Sequence, residues 1–238
     1  MKKHNPENLL AILLPLLFCL TPAANSGAQT TGVSELDQVL AQMESVGRTF
    51  VSFKARFSQK KYTAVLREFD EPDSGDFYYA RAKDGSALLR QEVTKPGRRI
   101  LTVKGGSMIV YQPGVNQASV VNLGKNKDKV EYLALGLGQS PGKLRESFDI
   151  QYQGVENVGT APCAILSLKP RNPGTAAYFS MITLWIKKSN GVPIQEKMQE
   201  PNGDYLLVDF TNEKLNVALP AALFEQQLPK NVEILKVQ

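Results

Sequence analysis

Few side chains in this sequence can act as nucleophile, base or metal ligand, and they are scattered. Asp70, Glu71, Asp73, Asp76 and Asp84 crowd one stretch, and a carboxylate pair drawn from them could serve as acid and nucleophile on a glycosidic bond. Pro72, Gly75 and Gly85 punctuate the same stretch, and turn formers among charges read as a solvated hairpin. Cys163 alternates with Ile165 and Ser167. No basic residue is placed to lower its pKa, so it reads as a small buried hydrophobe. Trp185 offers a ring either to a ligand or to core and interface packing. The remaining reactive residues are a single histidine, His4, and a second cysteine, Cys19. Nothing here brings nucleophile, base and orienting group together. The expectation is no enzyme, no metal site and no cofactor.

His4 and Cys19 both fall in a segment that reads as a processing signal. Lys2 and Lys3 open it, the apolar run Leu9–Leu20 follows, and small residues lead to Ala28. A basic start, a short apolar centre and a small-residue cleavage site make a secretory signal peptide. Twelve apolar residues are too few for a bilayer-spanning helix, which weighs against an uncleaved anchor. Ser26 and Ala28 place cleavage near Ala28, and Phe18 before Cys19 argues against a lipid-modified cysteine. Residues 1–28 are therefore expected to be removed, leaving residues 29–238 as one exported domain. Loss of Lys2, Lys3 and Glu7 takes away one net positive charge and leaves +4 of the original +5, which is no argument for nucleic acid. The exported part would hold no histidine and one cysteine, which excludes Ser-His-Asp and Cys-His catalysis, imidazole metal sites and an intramolecular disulfide.

The elements that must position any remaining function are one helix and many strands. With 42% hydrophobic and 21% charged residues among 238, the chain is globular in composition. Val33, Leu36, Val39, Leu40 and Met43 recur at helical spacing behind a capping pattern, Ser34-Glu35-Leu36-Asp37, and Gly47-Arg48 is expected to end that helix. Period two then takes over: Val51, Phe53, Ala55 and Phe57 alternate with polar residues, an apolar and a wet face. Further strands are predicted over 63–70, 75–81, 87–93, 99–104, 107–111, 117–123, 148–153, 163–169, 181–187, 194–199 and 205–211. Gly105-Gly106, Asn190-Gly191 and Asn202-Gly203 are hairpin dipeptides. So many short strands make a large, mainly antiparallel sheet that must curl or close. The run is interrupted by a charged loop, 125–129, and an apolar stretch, 130–138, in which Gly136 and Gly138 disfavour a continuous helix. That stretch reads equally as a mobile flap between two halves of the sheet or as a helical connection packed on its edge. A short helix from Pro141 to Ser147 follows, with proline at its first position.

Several local patterns, in order, resemble the LolA/LolB-type superfamily of periplasmic lipoprotein carriers. Phe53-Lys54-Ala55-Arg56-Phe57-Ser58-Gln59 is close to that family's F-x-A-x-F-x-Q. Gly75 to Arg81 is similar to its G-x-L-W/Y-x-x-R-P strand, and Lys104 to Pro113 to its D-G-x-x-x-W-x-Y-x-P hairpin. Gly203-Asp204-Tyr205 to Phe210, then Asn216 and Phe224 before Leu228-Pro229, follow its closing strand and tail. Ala82 stands where the family usually has proline, and the stretch 132–144 is richer in glycine than a typical lid.

The resemblance implies a mainly β (α+β) fold: an incomplete, strongly curved antiparallel β-barrel with an N-terminal helix and short lid helices over its concave face. It implies a carrier that shelters the acyl chains of a lipoprotein, or another acylated cargo, between sheet and lid. Its partners would be an inner-membrane releasing transporter and an outer-membrane acceptor, and the carrier would act as a monomer without nucleic acid. Exposing a sixteen-carbon chain to water costs roughly 12 kcal/mol, so such cargo cannot cross unsheltered. Strand parity nominates Val51, Phe53, Ala55, Phe57, Phe77 and Tyr79 as cavity lining, and the lid would carry Tyr132, Leu133, Leu135, Leu137 and Leu144. Arg81 aligns with the arginine that latches the family's lid; the other reading of Arg81 is a strand end pointing to water. An envelope lipid-sensing module on the same fold is the alternative function.

Overall fold

A computed structural model describes residues 34–124 and 132–237. The expected leader with His4 and Cys19, Val33, and the loop 125–129 with Val130 and Glu131 lie outside the described residues. Helix α1 spans Glu35–Thr49, capped by Ser34, whose hydroxyl accepts from the Asp37 amide. It buries Val39, Leu40 and Met43. The helix runs past Gly47 and ends at Thr49, two residues later than predicted, because Phe50 turns extended and buries its ring instead of continuing the helix.

The strands are β1 (Ser52–Thr63), β2 (Glu68–Phe69), β3 (Asp73–Arg81), β4 (Ala87–Lys95), β5 (Arg99–Lys104), β6 (Ser107–Gln112) and β7 (Gln117–Asn122). After the interruption come β8 (Phe148–Val158), β9 (Ala161–Pro170), β10 (Met181–Lys187), β11 (Pro193–Gln199), β12 (Tyr205–Leu215) and β13 (Glu233–Val237). They form one sheet in the order β13-β7-β6-β5-β4-β3-β1-β12-β11-β10-β9-β8, with β2 paired to β1 alone. The two ends do not pair, so the curved sheet stays an open, incomplete barrel.

Three features depart from expectation. The strand predicted over 63–70 does not form. Instead β1 continues to Thr63, and Arg67, in a left-handed conformation, donates its amide to the Thr63 carbonyl and turns the chain back into β2. β13 was not foreseen and lies parallel to β7 in an otherwise antiparallel sheet. Trp185 belongs to no core; it is half-buried and its indole donates to Glu156 at 3.0 Å.

Alternation along β1 sorts the two faces: Phe53, Ala55 and Phe57 are buried while Lys54 and Arg56 are exposed. The inward residues of β1, β3, β4 and β9 to β12 join α1 in one apolar cluster on the concave side. Register shifts in the β1–β12, β3–β4, β8–β9 and β10–β11 pairs each strengthen local twist. On the opposite face, Ile100, Tyr111 and Ala118 make a second, smaller cluster with Leu228 and Val232 of the C-terminal segment.

Candidate functional site

The concave face is roofed twice. Besides α1, the stretch after the interruption folds down on it: a 3-10 turn at Tyr132–Ala134, a glycine-bearing turn through Gly138, and helix α2 (Pro141–Ser147). Leu135 and Leu137 are buried, and Leu144 joins them from α2; all three belong to the same cluster as Phe53, Ala55, Phe57, Phe77 and Tyr79. The predicted lining and the predicted lid are therefore in contact with a single core. Tyr132 is half-buried, with its hydroxyl 2.7 Å from Thr175 Oγ1 and its ring 5.7 Å from that of Phe179. Leu133 is described by its backbone alone.

Val51 is a correction. It precedes β1 and is 60% exposed, because the chain between α1 and β1 is not yet pleated and parity does not apply there. Its amide is bound by Asn216 Oδ1 at 2.8 Å, which fixes this joint with the side chain outward. Phe50 takes the inward place instead. Sequence reasoning missed it, although a large aromatic directly after an amphipathic helix is a visible signal. It also missed Phe210, whose ring packs 5.6 Å from Phe53 and 5.1 Å from Phe77.

At the rim of this face Phe50 organises the contact between lid and sheet. Its ring lies 5.6 Å from Tyr79, and the Arg81 guanidinium carbon is 5.8 Å from its centre. Arg81 is the last residue of β3 and is exposed as a whole, yet its guanidinium donates to the carbonyl of Gly138. Gly138 has φ +67, and a Cβ there would sit 2.5 Å from the Phe50 ring. Only glycine turns the chain this way so close to an aromatic, which explains the glycine content that distinguishes this segment. Gly136 has φ +78 and packs under Leu184, where a Cβ would lie 3.2 Å from that side chain. Two further polar links hold the roof: Arg145 of α2 to Asp37 of α1 at 2.8 Å, and Gln42 of α1 to the Lys188 carbonyl at 2.7 Å. The Ser34 hydroxyl, and then Arg145, hold Asp37 below the usual carboxylate range.

Two clefts flank the lid. One of about 460 Å³ opens between Tyr132, Leu135, α2 and Thr175; another of about 390 Å³ opens between α1, Tyr79, Arg81 and Gly138. Both are lined by Gln139 and Lys143 of the same segment.

The remaining candidates disperse. Asp73 pairs with Arg99, Asp76 with Arg56, and Asp84 accepts from Ser86, so the acidic stretch forms no common site. Cys163 is fully buried and burial pushes its thiol pKa up. No group of three His, Cys, Asp or Glu among the described residues could hold a metal ion. Glu196 was also missed: it sits between Ile194 and Met198 on the inward side of β11, buried, with Oε1 unpartnered among the described residues. A charged residue at an inward parity position was the available signal.

Comparison with known proteins bears on this arrangement. The family described as "Outer membrane lipoprotein carrier protein LolA" matches residues 48–227. An outer-membrane lipoprotein carrier protein of Pseudomonas fluorescens Pf0-1 is 25% identical over 228 residues, 96% of this chain and 98% of its own. Among solved structures, an uncharacterized conserved protein from Thermus thermophilus superposes with TM-score 0.53 at 15% identity, covering 86% of this chain and 100% of that one. The crystal structure of MucB gives TM-score 0.51 at 15% identity, over 82% of this chain and 64% of that one. Both structural likenesses concern the fold.

Proposed function

The chain belongs to the family of outer-membrane lipoprotein carrier proteins, and from that premise we propose that it is a periplasmic, non-enzymatic carrier. It takes the acyl chains of a lipoprotein, or of another acylated molecule, onto the concave face and moves them from the inner to the outer membrane. Residues 1–28 are its export signal. An inner-membrane transporter loads it and an outer-membrane acceptor unloads it.

The observation that carries this reading is the pairing of an apolar concave face with a roof built from short turns and a seven-residue helix. Leu135, Leu137 and Leu144 are buried there, which is worth about 1.5–3 kcal/mol each. Lifting the lid into water exposes that surface and is unfavourable. Lifting it while acyl chains enter exchanges one apolar contact for another, and each buried methylene contributes about 0.8 kcal/mol. The empty protein is thus held closed and the loaded protein open, with the Arg81–Gly138 hydrogen bond biasing the balance towards closed. A latch of this kind can shift the equilibrium only by its own free energy in the closed state.

Native mass spectrometry of the protein from its own periplasm tests the proposal. A co-purifying acylated protein or lipid is expected. A bare mass that stays unchanged after incubation with a triacylated lipoprotein in detergent overturns it. Arg81→Leu is expected to bind cargo more tightly and release it more slowly.

A further inference from the structure

Away from the latch, the concave face carries a polar spot that the fold does not account for. In cross-strand register Leu184 faces Glu196, Glu196 faces Val208, and Val208 faces Gln59. Glu196 is 3% exposed, and its Oε1 finds no hydrogen bond among the described residues. It borders a cavity of about 20 Å³ together with Gln59 and Gln91, whose carboxamides touch through Gln91 Nε2 at 3.3 Å. Phe77, Met198, Val208 and Phe210 supply the apolar walls. An orphaned buried carboxyl is costly, and a leucine of similar size would suit the folded state better. The cavity is large enough for one oxygen-sized group, since a water needs roughly 10–15 Å³.

We infer that Glu196, with Gln59 and Gln91 beside it, is a polar subsite that receives the ester or amide carbonyl at the head of a bound acyl chain. The inference rests on the carrier reading above. Burial pushes the Glu196 carboxyl up to about 8, so at neutral pH it is the protonated acid and has an O–H to donate. A carbonyl oxygen accepts that hydrogen bond without bringing a charge into the apolar face. Oε1 has no hydrogen-bond partner among the described residues, so an entering carbonyl supplies the partner it lacks.

The test compares two probes that differ in the carbonyls alone, dioctanoylglycerol and its diether analogue dioctylglycerol. Their binding is titrated calorimetrically on the whole protein and on Glu196→Gln and Glu196→Leu. Wild-type protein is expected to prefer the ester by about tenfold, the yield of one buried hydrogen bond. Glu196→Gln keeps a donor and keeps the preference; Glu196→Leu folds at least as stably and binds both probes alike. Equal affinity of wild-type protein for the two probes, or an ester preference that survives in Glu196→Leu, overturns the inference and leaves the cavity to a buried water. Failure of wild-type protein to bind either probe removes the carrier reading itself.

Discussion

Helix α1 and the 132–147 segment cover the same apolar face but are attached to it in different ways. α1 is a continuous helix of fifteen residues, capped at its start, with Val39, Leu40 and Met43 sunk in the core. The 132–147 segment has no helix longer than seven residues and turns through two glycines at positive φ. It buries three leucines, as many large apolar side chains as α1 does, but its polar ties (Arg81 to Gly138, Tyr132 to Thr175, Arg145 to Asp37) join groups that water can solvate once the segment lifts. Burying side chains in a core and being anchored there by regular backbone structure are therefore different things. A segment with little hydrogen bonding of its own is expected to open at a lower free energy than a long amphipathic helix.

The largest expected effect lies beneath both roofs. Glu196 rises from the ordinary 4.5 to about 8 on burial, and no other charged side chain borders its cavity. Between those values the native state holds a proton that the unfolded chain has lost, so this group's contribution to stability is fully present below pH 4.5 and is lost as pH rises towards 8. The loss reaches roughly 5 kcal/mol. Urea unfolding across that range should show it, and Glu196→Gln should flatten it. Because Glu196 belongs to the sheet, lid exchange should be insensitive to its titration.

Met43→Ala should cost about 2–5 kcal/mol in global unfolding, as deletion from a packed core does. Leu137→Ala should cost less, because its loss is capped by the free energy that holds the lid down. Equal costs would mean that the lid is as much a part of the core as α1 is. Gly138→Ala puts a Cβ 2.5 Å from the Phe50 ring at a left-handed position and should undock the lid while α1 stays in place. Native-state hydrogen exchange would then show fast amides over 134–139 and unchanged protection over 39–49. Arg81→Leu should act the same way more weakly, by about 1.5–3 kcal/mol for a hydrogen bond to a charged donor. Tyr132→Phe, losing one neutral hydrogen bond at the other end of the lid, should cost about 1 kcal/mol or less.

Much of this was legible in the sequence, for reasons that particular residues show. The Ser34 cap, the strands at 99–104 and 181–187, and the Pro141–Ser147 helix have the predicted bounds, because caps and periodicity are local properties of the chain. The inward places of Phe53, Ala55, Phe57, Phe77 and Tyr79 follow from period two alone. Local rules failed where one element hands over to the next, at Gly47, Val51 and the 63–70 stretch. There the outcome depends on which neighbour claims a backbone group, as Asn216 claims Val51 and Thr63 claims Arg67.

What the sequence by itself determined is the kind of object this is: an amphipathic helix, a curled antiparallel sheet with one apolar face, and an apolar interruption able to cover it. Only the tertiary structure decided which contacts are made across that face. Arg81 reaches Gly138, 57 positions away; β13 closes on β7 from the far end of the chain; Glu196 is stranded among side chains from four other strands. Periodicity records which way a residue points relative to its own element. Desolvation and hydrogen-bond partners depend on distances between elements remote in sequence, which no local pattern encodes.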